Sequence, residues 1–130
     1  MKSFSTELRV KYQETDQMGV VYYANYLTWF EVARTEFLRK LGVVYKDLEK
    51  EGYFLMVAGV SCDYKNPARY DDLIAVDTWV SGHKRTSLQF EYAVSCGGKP
   101  LASGKSTHVF TNRRGKPVRI PEKVLEAVRG

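Results

Sequence analysis

Asp16 is the first side chain in this 130-residue sequence whose surroundings suggest chemistry. It stands in the run Tyr12-Gln13-Glu14-Thr15-Asp16-Gln17-Met18-Gly19-Val20-Val21-Tyr22-Tyr23-Ala24-Asn25-Tyr26, a few residues ahead of a long helical pattern. The first N–H groups of a helix have no intrahelical acceptor, and the positive end of the helix dipole lies there, so a developing oxyanion is stabilised at that place. Gly19 allows the backbone to approach a ligand closely. A carboxylate beside such donors suits acyl transfer, by its own attack or by activation of water. On the residues alone a turn or helix-cap role is the stronger reading of Asp16, because aspartate is favoured in both places. The chemical readings stay open beside it.

The remaining candidates are plainer. Glu14 reads as an exposed turn residue, and Glu31 with Arg34, three apart on the helix, as a structural ion pair bordering a subunit interface. His83 and His108 have no partner pattern for a triad or a metal and read as structural or surface residues. Ser61, Ser87 and Ser95 lack a nucleophile elbow. Cys62 and Cys96 lie far apart with no CxxC and no Cys/His cluster, which argues for reduced, buried thiols over a disulfide or a zinc site. No metal and no cofactor are expected.

Those residues need elements to position them. With 44% hydrophobic and 27% charged residues, the chain has the composition of one folded domain over residues 1–130, not of a disordered or membrane-spanning chain. Its apolar runs are only a few residues, against the roughly 20 needed to span a bilayer. The start, Met1 to Glu7, has no apolar signal-peptide core, so a cytoplasmic location is expected. Twenty Lys and Arg against 15 Asp and Glu leave a net +5, which favours an anionic partner without choosing among nucleic acid, lipid and a phosphorylated small molecule. Nine tyrosines suggest interfaces or ligand clefts, where an apolar ring carries a polar tip.

Residues 7–12 alternate and predict a strand with Leu8, Val10 and Tyr12 on one face. From about Asn25 to Leu41 the period becomes helical: Tyr26, Phe30, Ala33, Phe37 and Leu41 form one stripe, widened by Trp29 and Leu38. Arg39 and Lys40 suit the last turn, and Gly42 the cap. A short helix over 45–50 follows, then strands over 54–64, 73–80, 87–96 and 101–111 joined by hairpin-type links. Leu88, Phe90, Tyr92, Val94 and Cys96 share one face, and Gly97-Gly98 is a two-residue hairpin signal. Pro121 opens a short terminal helix. A mostly antiparallel sheet covering one central helix is an α+β arrangement.

The run YQETDQMGVVYYANYLTWFEVAR, residues 12–34, resembles the signature of the hotdog-fold acyl-CoA thioesterases of the 4-hydroxybenzoyl-CoA thioesterase-like family. Within it, the likeness is to the short bacterial acyl-CoA thioesterases often associated with the Tol-Pal system. Tyr64, Pro67-Ala68, Tyr70-Asp71-Asp72-Leu73, Lys84 to Ser87 and Ile120-Pro121 extend it over nearly the whole chain. The resemblance implies a five-stranded antiparallel sheet wrapped around one long helix, and hydrolysis of an acyl-CoA to the free acid and CoA. It implies that Asp16 is the nucleophile or general base, with the backbone N–H of Tyr23 polarising the thioester carbonyl. Many relatives of the Tol-Pal type carry His where Tyr23 stands, so no imidazole role transfers. Tyr22 and Tyr26 are left as packing residues. Gly19 and Val20 would meet the substrate, and Arg69, Lys84 and Arg85 the phosphates of CoA. Such sites form between two subunits, which implies a homodimer, commonly a dimer of dimers, with no nucleic acid and no stable membrane insertion. The alternatives are a non-catalytic acyl-thioester binding protein and a hotdog hydratase or dehydratase; the latter chemistry relies on a histidine, and neither His83 nor His108 lies in the signature.

Overall fold

The computed structural model describes residues 2–129. Its elements are strand β1 (Ser3–Arg9), helix α1 (Asn25–Lys40), short helix α2 (Tyr45–Lys50), strands β2 (Phe54–Tyr64), β3 (Leu73–His83), β4 (Ser87–Cys96) and β5 (Lys99–Thr111), and helix α3 (Glu122–Arg129). The strands form one antiparallel sheet in the order β1-β3-β4-β5-β2. The β3–β4 and β4–β5 links are hairpins as expected, and Gly97 and Gly98 both take the positive φ of a tight turn (55° and 83°). The β2–β3 link is not a hairpin. β2 crosses to the far edge and pairs only with β5, leaving its other edge without a partner among the described residues.

The first strand runs over Ser3–Arg9 in place of 7–12. Leu8 and Val10 do lie inward, but Tyr12 enters a 3-10 turn, Tyr12–Glu14, and is exposed. The Glu14 carboxylate takes the Lys11 N–H at 2.8 Å and ends the extended run there. β3 and β5 are each longer than the alternation suggested, and Pro121 sits just before α3.

The α1 stripe is the core. Tyr26, Trp29, Phe30, Ala33, Phe37 and Leu38 are buried against the inward residues of β3, β4 and β5, with Leu41 half-buried at the end of the stripe. Phe30 stacks on Tyr92 of β4 at a centroid distance of 4.2 Å and 6° between planes. Burying one such ring contributes roughly 1.5–3 kcal/mol. Gly104 of β5 lies directly beneath, and a Cβ there would overlap the Phe30 ring. The helix therefore sits close on the sheet, which fixes where its N-terminus emerges.

Candidate active site

The loop between β1 and α1 is a small hairpin of its own. Thr15 and Val21 form an antiparallel bridge, Asp16 N–H donates to the Val20 carbonyl at 2.9 Å, and Gly19 N–H donates to the Asp16 carbonyl at 3.0 Å. Gly19 holds φ at 78°, a conformation that glycine takes without a steric cost. The Asp16 carboxylate accepts the Met18 N–H through Oδ1 at 2.8 Å, so the turn reading is correct for that oxygen. Oδ2 accepts no hydrogen bond among the described residues, and the side chain is exposed. A carboxylate pinned by one oxygen keeps a fixed direction and has the other oxygen free to react.

Several bonds hold this hairpin against α1. The Glu14 carbonyl accepts both the Tyr22 N–H and the Asn25 side-chain amide at 2.8 Å. Glu14 Oε2 accepts the Trp29 indole N–H at 3.0 Å. Val20 bridges Arg69, Val21 N–H donates to the Ala68 carbonyl at 2.8 Å, and Ala68 N–H donates to the Tyr26 hydroxyl at 3.2 Å. Glu14 is thus a half-buried anchor and not the exposed turn residue expected. Nothing in its spacing separates it from a turn glutamate, since its partner Trp29 comes from the next element.

At the start of α1, Ala24 occupies the capping position and offers no side-chain acceptor. The backbone N–H groups of Tyr23 and Ala24 find no acceptor among the described residues. Tyr23, Tyr26 and Tyr64 wall a pocket of about 270 Å³ with Val21, Lys65, Asn66 and Pro67. The Tyr64 ring meets Tyr26 edge-on at 5.0 Å and Tyr23 at 6.3 Å, and the Tyr64 hydroxyl donates to the Tyr23 carbonyl at 3.0 Å. Desolvation, with the neighbouring Cys62 thiol, pushes the Tyr64 phenol up to about 12, so it keeps its proton and donates. Burial also pushes the Cys62 thiol up, which makes it a poor nucleophile at neutral pH. Tyr26 packs as expected, but Tyr22 is exposed.

The other expected residues divide between the two ends of the sheet. Arg69 lies beside Val20 at the Asp16 end. Lys84 and Arg85 lie in the turn after His83, at the opposite end of β3, where a cavity of about 450 Å³ also gathers Arg119, Glu122 and Arg129. Eleven residues of strand separate the two ends, about 33 Å at 3.3 Å per residue. Within one chain, Lys84 and Arg85 are not brought to Asp16. Glu31 and Arg34 do not pair: both line a cavity of about 340 Å³ between α1 and β2, while the ion pairs among the described residues are Glu36–Arg39 and Glu51–Lys123. His83 is exposed. His108 is buried, bonded through Nε2 to Ser106 Oγ at 2.7 Å, and Ser106 in turn to Tyr92 Oη at 2.6 Å. Burial, reinforced by the Arg34 charge, lowers His108 to about 4. Cys62 and Cys96 are free and half-buried, less enclosed than expected.

One long helix wrapped by a single five-stranded antiparallel sheet is the hotdog fold found in thioesterases. The sequence profile of the thioesterase-like superfamily matches residues 10–128. The chain belongs to that superfamily. It is 44% identical over 127 residues to the acyl-CoA thioesterase YbgC of Haemophilus influenzae, covering 95% of this chain and 93% of that one. It is 36% identical over 116 residues to the putative acyl-CoA thioesterase YneP of Bacillus subtilis, covering 88% and 84%. The crystal structure of the DHNA-CoA thioesterase from Staphylococcus aureus superposes with a TM-score of 0.94 at 34% identity, covering 98% of this chain and 89% of that one. No described helix is long and apolar enough to cross a membrane.

Proposed function

We propose that this chain, as one domain over residues 1–130, hydrolyses an acyl-CoA thioester: water adds across the acyl–sulfur bond, giving the free acid and CoA as a thiol. The observation that carries the reading is a carboxylate with one pinned and one free oxygen, on a loop leading directly to two unpartnered amides at the start of α1. Asp16 attacks the carbonyl or takes the proton of the attacking water. The Tyr23 N–H receives the charge that develops on the carbonyl oxygen, worth about 3–4 kcal/mol of barrier for one such donor. Gly19 and Val20 border the acyl group, and no metal or cofactor is needed for this step. A cytoplasmic location fits a CoA substrate.

The functional unit is a homodimer, with a dimer of dimers as the larger assembly. β2 supports this reading. Its outer edge has no partner among the described residues, and Met56, Val57 and Val60 on it are exposed apolar side chains, a combination that invites pairing with another strand. Antiparallel pairing of two β2 edges about a two-fold axis sets the Phe54 end of one copy beside the Tyr64 end of the other. The partner's far-end cations then come to the Asp16 side, where Lys84 and Arg85 join Arg69 in meeting CoA phosphates.

The test is free-thiol release from a panel of short-chain, long-chain and aromatic acyl-CoAs, for wild type and Asp16→Asn. Wild type releases thiol, and the folded variant loses at least about a hundredfold in kcat, the scale of one essential polar group. Full turnover by a folded Asp16→Asn overturns the assignment of Asp16. No release from any member, with CoA still bound, favours a non-catalytic acyl-thioester binding protein.

A further inference from the structure

We propose that Tyr64 is a positioning residue for the amides at the start of α1, acting through the carbonyl of Tyr23. This rests on the hydrolase reading above. Each of the two unpartnered N–H groups belongs to a peptide plane whose carbonyl is pinned on its other side. The plane carrying the Tyr23 N–H has its oxygen, that of Tyr22, bonded by the Asn25 N–H at 3.0 Å. The plane carrying the Ala24 N–H has its oxygen, that of Tyr23, bonded by the Tyr64 hydroxyl at 3.0 Å and, more loosely, by the Tyr26 N–H at 3.3 Å. The first clamp is local to the turn. The second comes from the end of β2, 41 residues away in sequence, so it ties the aim of the amides to the sheet.

The bond does more than hold. In a trans peptide the carbonyl and the N–H point in opposite directions, so a donor on the Tyr23 oxygen aims the Ala24 N–H away from Tyr64. Drawing electron density from that oxygen also makes the Ala24 N–H a stronger donor, the cooperative effect of hydrogen bonds in series. Ala24 thereby becomes a second donor beside Tyr23. The Tyr64 ring stays in place without its hydroxyl, because edge-on contacts with Tyr26 and Tyr23 hold it.

Tyr64→Phe isolates the hydroxyl. Steady-state kinetics on the acyl-CoA that wild type cleaves fastest should show kcat lowered about tenfold, less than for loss of a direct oxyanion donor, with KM within about twofold because ground-state binding is untouched. Nitrogen-15 NMR should show the Ala24 amide among the most displaced, since its peptide loses the bond to its carbonyl. An unchanged kcat, a loss that appears in KM alone, or an unmoved Ala24 amide overturns the proposal. If wild type cleaves no acyl-CoA, the hydrolase reading fails and takes this role with it; that result is distinct because it precedes any substitution.

Discussion

The indole N–H of Trp29, one turn inside α1, donates to Glu14 Oε2 at 3.0 Å, while Oε1 of the same carboxylate accepts the Lys11 N–H at 2.8 Å. One side chain therefore joins the end of the β1 segment, the turn before Asp16 and the central helix. The hairpin that carries Asp16 is thus tied to the core through Trp29 as well as by its own turn bonds.

Trp29→Phe keeps part of the ring's apolar contacts and deletes the bond to a charged acceptor, itself worth about 1.5–3 kcal/mol. Thermal unfolding should show at least that loss, because the smaller ring also leaves a cavity in the core. Activity should fall further than stability alone explains, because the Asp16 hairpin loses one of its ties to α1. A variant as active as wild type per folded molecule would show that the hairpin holds its own geometry.

Much of this arrangement is legible in the sequence. The α1 stripe is set by packing against a wide surface, and the β4 alternation by one inward face, so both periods survive unbroken. The Asp16–Gly19 turn is local chemistry and is equally readable. β2 is different. Residues 54–64 read as a strand without saying where in the sheet it lies, and residues 56–61 are all exposed because β2 is an edge strand that pairs only with β5 among the described residues. Lys84 and Arg85 follow the same logic: sequence spacing does not say which end of a sheet a turn occupies. Glu14 and Tyr64 also bond to distant elements, Trp29 of α1 and the Tyr23 carbonyl, and no local spacing announces those bonds.

His108 gives the fold a pH dependence. It is buried, its Nδ1 has no partner among the described residues, and its folded value of about 4 lies below the unfolded value of an exposed histidine. The unfolded chain takes up this proton first as pH falls, so the stability contribution is complete above about pH 6.5 and is lost down to about pH 4, roughly 3 kcal/mol in all. Denaturant unfolding of wild type and His108→Gln across that range should show a shallower slope for the variant. Parallel curves would place the acid sensitivity elsewhere.

Gly104 sets the distance between helix and sheet. A Cβ there would overlap the Phe30 ring and lie 2.8 Å from the Ser61 carbonyl. Gly104→Ala should cost about 1–3 kcal/mol, the range for overpacking a filled core. Pairing it with Phe30→Leu should recover part of that loss, a coupling measured by a double-mutant cycle. Simple additivity of the two would show that the ring moves aside freely.

A shared site makes a prediction that a self-contained one does not. Val57→Lys with Val60→Lys would set like charges across the two-fold axis, so light scattering should find a dimer or larger assembly for wild type and a monomer for this variant. Lys84→Glu with Arg85→Glu should raise KM about tenfold with kcat little changed, because phosphate contacts bind ground state and transition state alike. Mixing and reassembling that variant with Asp16→Asn is the decisive arm. Each mixed dimer would contain one site with an intact Asp16 from one copy and intact cations from the other. Half of the dimers are mixed and half of their sites are whole, so about a quarter of wild-type activity should return at low substrate, against roughly a tenth for the cation variant alone and almost none for Asp16→Asn. If each chain supplies both Asp16 and its own cations, mixing restores nothing, and the phosphate contacts must be sought at the Arg69 end of the same subunit.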